Sequence, residues 1–171
     1  MKPFTIDMGP TALRALWQTG QLNPEDLPEV AAELLISGAD SQALRELAGL
    51  ARPTRDDAEP VLARVLRDLG APALQQDVAC RVAARATAAR ALAGAISPHD
   101  AAVALAALCA ACDWPPDLGW FVAALYEWVD VPHERPQIAV QILEECQKLL
   151  AAPADATARG PAAPASPVDP G

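Results

Sequence analysis

Chain-breaking residues recur along this sequence at intervals that leave room for helices and little else. Gly20, Gly38, Gly70 and Gly94 each close a run of helix-forming residues, and glycine ends helices because it enters the left-handed conformation without a side-chain clash. Asn23-Pro24, Ser41, Thr54 and Ser97-Pro98 open the runs that follow; their side-chain oxygens can accept from orphan backbone N–H groups, and proline presets the first helical φ. Hydrophobic residues make up 52% of the chain and aromatics only 4%. Much of the apolar content is alanine, the best helix former, while the residues that favour strands are scarce.

Between these markers the apolar spacing predicts an all-α fold of eight helices. They cover about Thr11 to Thr19, Pro24 to Ser37, Ser41 (or Asp40) to Pro53, Thr54 to Gly70, Ala73 to Ala95, Pro98 to Cys112, Asp117 to Val129, and Glu134 to Ala151. Pro60 falls inside the fourth and is expected to kink it or delay its start.

Sliding the chain against itself by 74 residues places Gly20, Leu22, Asn23, Pro24 and Asp26 on Gly94, Ile96, Ser97, Pro98 and Asp100. Ala32, Leu34, Leu44 and Leu47 then meet Ala106, Leu108, Leu118 and Phe121, and a shift of 76 aligns Pro60, Leu62, Ala63 and Leu66 with Pro136, Ile138, Ala139 and Ile142. Good capping chemistry can converge, but aligned core positions favour duplication. The expectation is two tandem four-helix modules, 1–71 and 72–152, packed as a helical bundle or short α-solenoid. Residues 153–171 carry five prolines among alanines and no apolar period, so a disordered tail is expected there.

Thirteen basic residues face 22 acidic ones, a net charge of −9, shared at about −4 by each module. Such a surface repels phosphate backbones and anionic lipid, which argues against nucleic acid and membranes and for a protein partner with a basic surface. The longest uncharged apolar run, Ala101 to Cys112, is too short to span a bilayer, and no apolar leader precedes it. A cytoplasmic protein is expected, with Cys80, Cys109, Cys112 and Cys146 as reduced thiols and no disulfide framework.

Cys109-Ala110-Ala111-Cys112 has redox or metal spacing, yet it lies near the end of an Ala/Leu helix. A low thiol pKa needs a helix start, and further zinc ligands are scattered, so core packing is the expectation. His99 reads as a solvated side chain in a first helical turn, and His133 follows a helix-breaking proline. No phosphate loop, nucleophile elbow or His-Glu-x-x-His string occurs. No enzyme, cofactor or metal site is read. Arg81, Arg85 and Arg90 read as a solvated helix face.

The stretch between Arg90 and Arg135 contains no Lys or Arg, holds Asp100, Asp113, Asp117, Glu127, Asp130 and Glu134, and gathers five of the seven aromatics. On a helical wheel Leu118, Phe121, Val122, Leu125 and Val129 share one side, with Trp120 and Glu127 nearly opposite. Aromatics ringed by acids suit contact with a cationic partner, since Trp and Tyr give rigid contact area and acids steer encounter. Asp113, Trp114, Asp117, Trp120, Glu127, Trp128 and Asp130 are therefore the partner-binding candidates. The competing expectation is that Trp120 and Trp128 pack against a neighbouring helix.

Leu92 to Pro98, Asp113-Trp114, Phe121 to Leu125 and Val129 to His133 together resemble uncharacterised small helical bacterial proteins, some of immunity-protein type that accompany secreted toxins. The resemblance spans roughly residues 85 to 136 and implies binding without chemistry. The function expected is a non-enzymatic binding module, most concretely an acidic immunity-type inhibitor of a basic toxin or effector; the alternative is a helical adaptor or scaffold subunit that self-assembles.

Overall fold

The computed structural model describes residues 9–113 and 115–152. Eight α-helices follow in order: α1 Pro10–Gln18, α2 Leu27–Ile36, α3 Gln42–Ala48, α4 Arg55–Asp68, α5 Gln76–Leu92, α6 Pro98–Ala111, α7 Pro116–Asp130 and α8 Arg135–Ala151. Short 3-10 turns, Pro24–Asp26 and Pro132–Glu134, lead into α2 and α8, and no strand occurs among the described residues. The expected all-α fold is found. The segment 153–171, read as a disordered tail, lies outside the described residues.

The four glycines that punctuate the sequence all have positive φ, 73° at Gly20, 98° at Gly38, 68° at Gly70 and 71° at Gly94. Each closes its helix with the same pair of bonds. Gly20 N–H donates to Trp17 O (3.1 Å) and Gln21 N–H to Leu16 O (2.8 Å), and the pattern repeats at Gly38/Ala39, Gly70/Ala71 and Gly94/Ala95. This double bond satisfies carbonyls that the helix itself cannot reach.

The N-termini are less uniform. Ser41 Oγ accepts from Leu44 N–H (3.0 Å), Ser97 Oγ from Asp100 N–H (3.0 Å), and Thr54 forms a reciprocal capping box with Asp57. Asn23 instead turns its amide to Asp26 Oδ2 (3.2 Å), and the 3-10 turn separates it from α2. The two Asn/Ser-Pro junctions aligned by the repeat thus share a glycine stop but start their next helices differently. Pro60 sits within α4, which runs unbroken from Arg55 to Asp68.

Packing centres on α5, which touches α1, α6 and α8, while α2, α3 and α4 pack in chain order and α6, α7 and α8 pack on one another. The buried residues of α5 are Ala79, Cys80, Ala83, Ala84, Thr87, Ala88 and Ala91. Small side chains on several sides let three helices approach closely, as a helix enclosed all round requires. Leu13, Leu16, Leu44, Leu62, Leu105, Phe121 and Ile142 belong to one continuous cluster that runs through both halves of the chain. α1, though it precedes residue 71, lies against α5.

The arginines of α5 are not a solvated face. Arg85 is half-buried and donates to the carbonyls of Leu149 (2.8 Å), Leu150 (3.0 Å) and Ala152 (2.9 Å), capping the end of α8. Arg90 is also half-buried; burial pushes its guanidinium down, with Asp26 acting in the opposite sense. Arg81 pairs with Asp77 one turn earlier (3.1 Å). Arg81 thus keeps a partner on its own helix, whereas Arg85 finds its acceptors on α8, which periodicity along α5 cannot report.

Candidate functional site

α6 ends without a glycine. Its cap is Cys112, followed by Asp113 at φ 56°, a left-handed conformation that glycine supplies at the end of α2. Cys112 is bonded to Cys80 near the start of α5, with Cα atoms 6.1 Å apart, within the usual disulfide span. This corrects the expectation of four reduced thiols. The pairing joins residues 32 apart on different helices, so nothing in the local Cys109/Cys112 spacing announces it. Cys109 and Cys146 are free and buried. Burial pushes the Cys109 thiol up, and burial with the neighbouring Glu145 pushes Cys146 up to about 11.

Beyond this corner Pro115 and Pro116 start α7, with Asp117 in its first turn, where the helix dipole favours an acid. Leu118, Phe121 and Ala124 are buried, Val122, Leu125 and Trp128 are half-buried, and Ala123, Tyr126, Glu127, Val129 and Asp130 are exposed. The buried side is therefore rotated from the apolar side of the wheel, toward Ala124 and Trp128. Val129, expected in the core, is 69% exposed, beside Tyr126 at 70%. The rotation follows from packing: α7 lies on both α6 and α8, so its burial is set by two neighbours rather than by its own apolar centroid.

Of the candidate residues, Asp113, Asp117, Glu127 and Asp130 are exposed, and Trp114 lies outside the described residues. Trp120 is half-buried, edge-on to Phe121 with ring centres 5.4 Å apart. Trp128 is half-buried between His99, 5.0 Å ring to ring, and Arg135, whose guanidinium carbon lies 5.7 Å from the ring centre. Arg135 Nε also donates to the Trp128 carbonyl (3.0 Å). The first cation after the basic-free stretch, itself exposed, thus lies against Trp128. His99, expected to be solvated, is half-buried beneath Trp128.

The exposed side of α7 carries two large apolar side chains that sequence reading did not place there, Tyr126 and Val129. Among the described residues, no group of three His, Cys, Asp or Glu side chains is placed to hold a metal ion, and no helix is long and apolar enough to cross a membrane. No family model matches the chain, nor does any curated protein or solved structure.

Proposed function

We propose that this chain is a non-enzymatic protein-binding module, of the acidic immunity type that covers a basic surface of its partner in the cytoplasm. The observation that carries the reading is the exposed side of α7, where Tyr126 and Val129 stand beside Glu127 and Asp130, with Asp113 and Asp117 at the helix's other end. No Lys or Arg occurs between Arg90 and Arg135, so nothing on this stretch neutralises the acids from within. Exposed apolar residues supply contact area once desolvated, and unpaired acids raise the encounter rate with a cationic surface.

The test is charge reversal. With the partner recovered from the native cytoplasm, Asp117→Lys combined with Glu127→Lys should slow association by roughly tenfold and flatten its dependence on salt. An unchanged rate and salt dependence would sink the reading.

Self-assembly is favoured by a separate observation, the exposure of Ile36 (86%) on α2 and Val140 (55%) on α8. Ile36 follows half-buried Leu34 and Leu35 at the end of a helix that packs chiefly on α3. Light scattering over a range of concentrations separates the two: a monomer at every concentration removes this second reading.

A further inference from the structure

We propose that the Cys80–Cys112 pair is a reversible redox lock on the end of α6: closed, it holds Asp113 in its left-handed turn, and opened, it releases the backbone at Cys112 and Asp113. Its use as a control on partner binding rests on the α7 reading above, and its reversibility on the cytoplasmic location proposed there; the bond itself rests on neither.

Three observations converge on this corner. The bond is made at the residue where α6 ends, immediately before a non-glycine residue at φ 56°, a conformation that costs most L side chains energy and that aspartate tolerates better than most. The corresponding end of α2 makes its turn with Gly38 and two backbone bonds and needs no cross-link. The two sulfurs also differ in access, since Cys80 is 4% exposed and Cys112 half-buried. In a cytoplasmic protein a disulfide is typically transient and regulatory rather than a permanent staple.

The chemistry balances with a glutathione couple. A glutathione thiolate attacks the accessible Cys112 sulfur, the Cys80–Cys112 bond breaks, and Cys80 leaves as a thiolate that takes up a proton. A second glutathione then displaces Cys112 from the mixed disulfide. Two electrons and two protons thus reach the protein as one glutathione disulfide forms, and closure is the reverse. Cys109 and Cys146 are buried with raised thiol pKa, so they stay protonated and do not intercept the exchange.

The full chain is equilibrated in glutathione buffers of varied ratio, then unfolded and alkylated for mass spectrometry, with amide hydrogen exchange measured in parallel. The lock predicts two alkylated thiols in the oxidised form and four in the reduced form. It also predicts exchange roughly tenfold faster on reduction, concentrated in residues 110–118. Cys80→Ser should reproduce the reduced pattern in oxidising buffer. Asp113→Gly should shrink the redox difference to within roughly threefold, because glycine holds the turn unaided.

Failure of the bond to form in excess glutathione disulfide would overturn the proposal. So would exchange that rises evenly over the whole chain, or an Asp113→Gly variant with an undiminished redox difference. If the lock behaves as described yet partner binding is equal in both forms, its regulatory role falls while the α7 face stands. If charge reversal on α7 has no effect, the face falls while the lock stands.

Discussion

The ends of α2 and α6 occupy corresponding places in the two halves of the chain and make their turns by different means. α2 closes on Gly38 with two backbone bonds and re-enters helix at Ser41, whose hydroxyl caps α3. α6 closes on Cys112, tied to α5, turns through Asp113 and re-enters helix through Pro115 and Pro116. The helices that follow differ as well: α3 spans 7 residues without an aromatic, and α7 spans 15 with four. At α3 a local cap suffices, whereas α7 is entered through a covalently anchored turn.

Four expected outcomes would break or sharpen this contrast. The largest concerns core packing. Phe121 and its counterpart Leu47 are 0% and 1% exposed, so Phe121→Ala should cost about 3–5 kcal/mol and Leu47→Ala about 2–5 kcal/mol by urea denaturation. A Phe121→Ala cost well under that of Leu47→Ala would mean that α7 is not the more deeply committed helix.

Next comes the cross-link. Reduction, or Cys112→Ser, should lower stability by about 2–4 kcal/mol, read as a shift of the urea midpoint, while reductant should leave the Cys80→Ser variant unmoved. An equal response to reductant in that variant would place the effect elsewhere.

The caps follow. Thr54→Ala should cost about 1 kcal/mol. The Thr54 hydroxyl and backbone N–H hold Asp57 below the ordinary carboxylate range. A folded-state pKa that is lowered gives stability fully present above the unfolded value of 3.8 and lost as pH falls through the lower folded one. The difference between wild type and Thr54→Ala should therefore narrow in acid and stay constant near neutrality. A gap that widened below about pH 4 would contradict the assignment.

The smallest pair has opposite signs. Gly38→Ala should destabilise by about 1 kcal/mol, since an L side chain is forced to φ 98°. Asp113→Gly in the oxidised protein should change stability by less than about 1 kcal/mol and in the favourable direction, strain relief outweighing the freer unfolded chain. Thermal melts resolve both.

Helix order and stops were legible in the sequence because caps are local chemistry: a glycine and the two residues around it fix the closing bonds whatever lies beyond. The site was legible in its charges and only half in its apolar part. Asp113, Asp117, Glu127 and Asp130 are exposed as their type suggests, but a helical wheel assumes that the apolar centroid is the buried side. α7 packs off that centroid, which brings Tyr126 and Val129 outward and draws Trp128 in over His99. The Cys80–Cys112 bond and the Arg85 cap on α8 were invisible for one reason. Each depends on where a second helix comes to rest, and no local pattern reports that.

The claim that the second half carries the binding surface is tested most directly by matched charge reversals in the two halves. Glu127→Lys with Asp130→Lys on α7 is set against Glu25→Lys with Glu29→Lys around the start of α2, all four acids being exposed. Association rates with the partner are measured at two salt concentrations. The account predicts a roughly tenfold slower, less salt-sensitive association for the α7 pair and little change for the other. Equal effects from both pairs would reduce the interaction to net charge and contradict a surface built on α7.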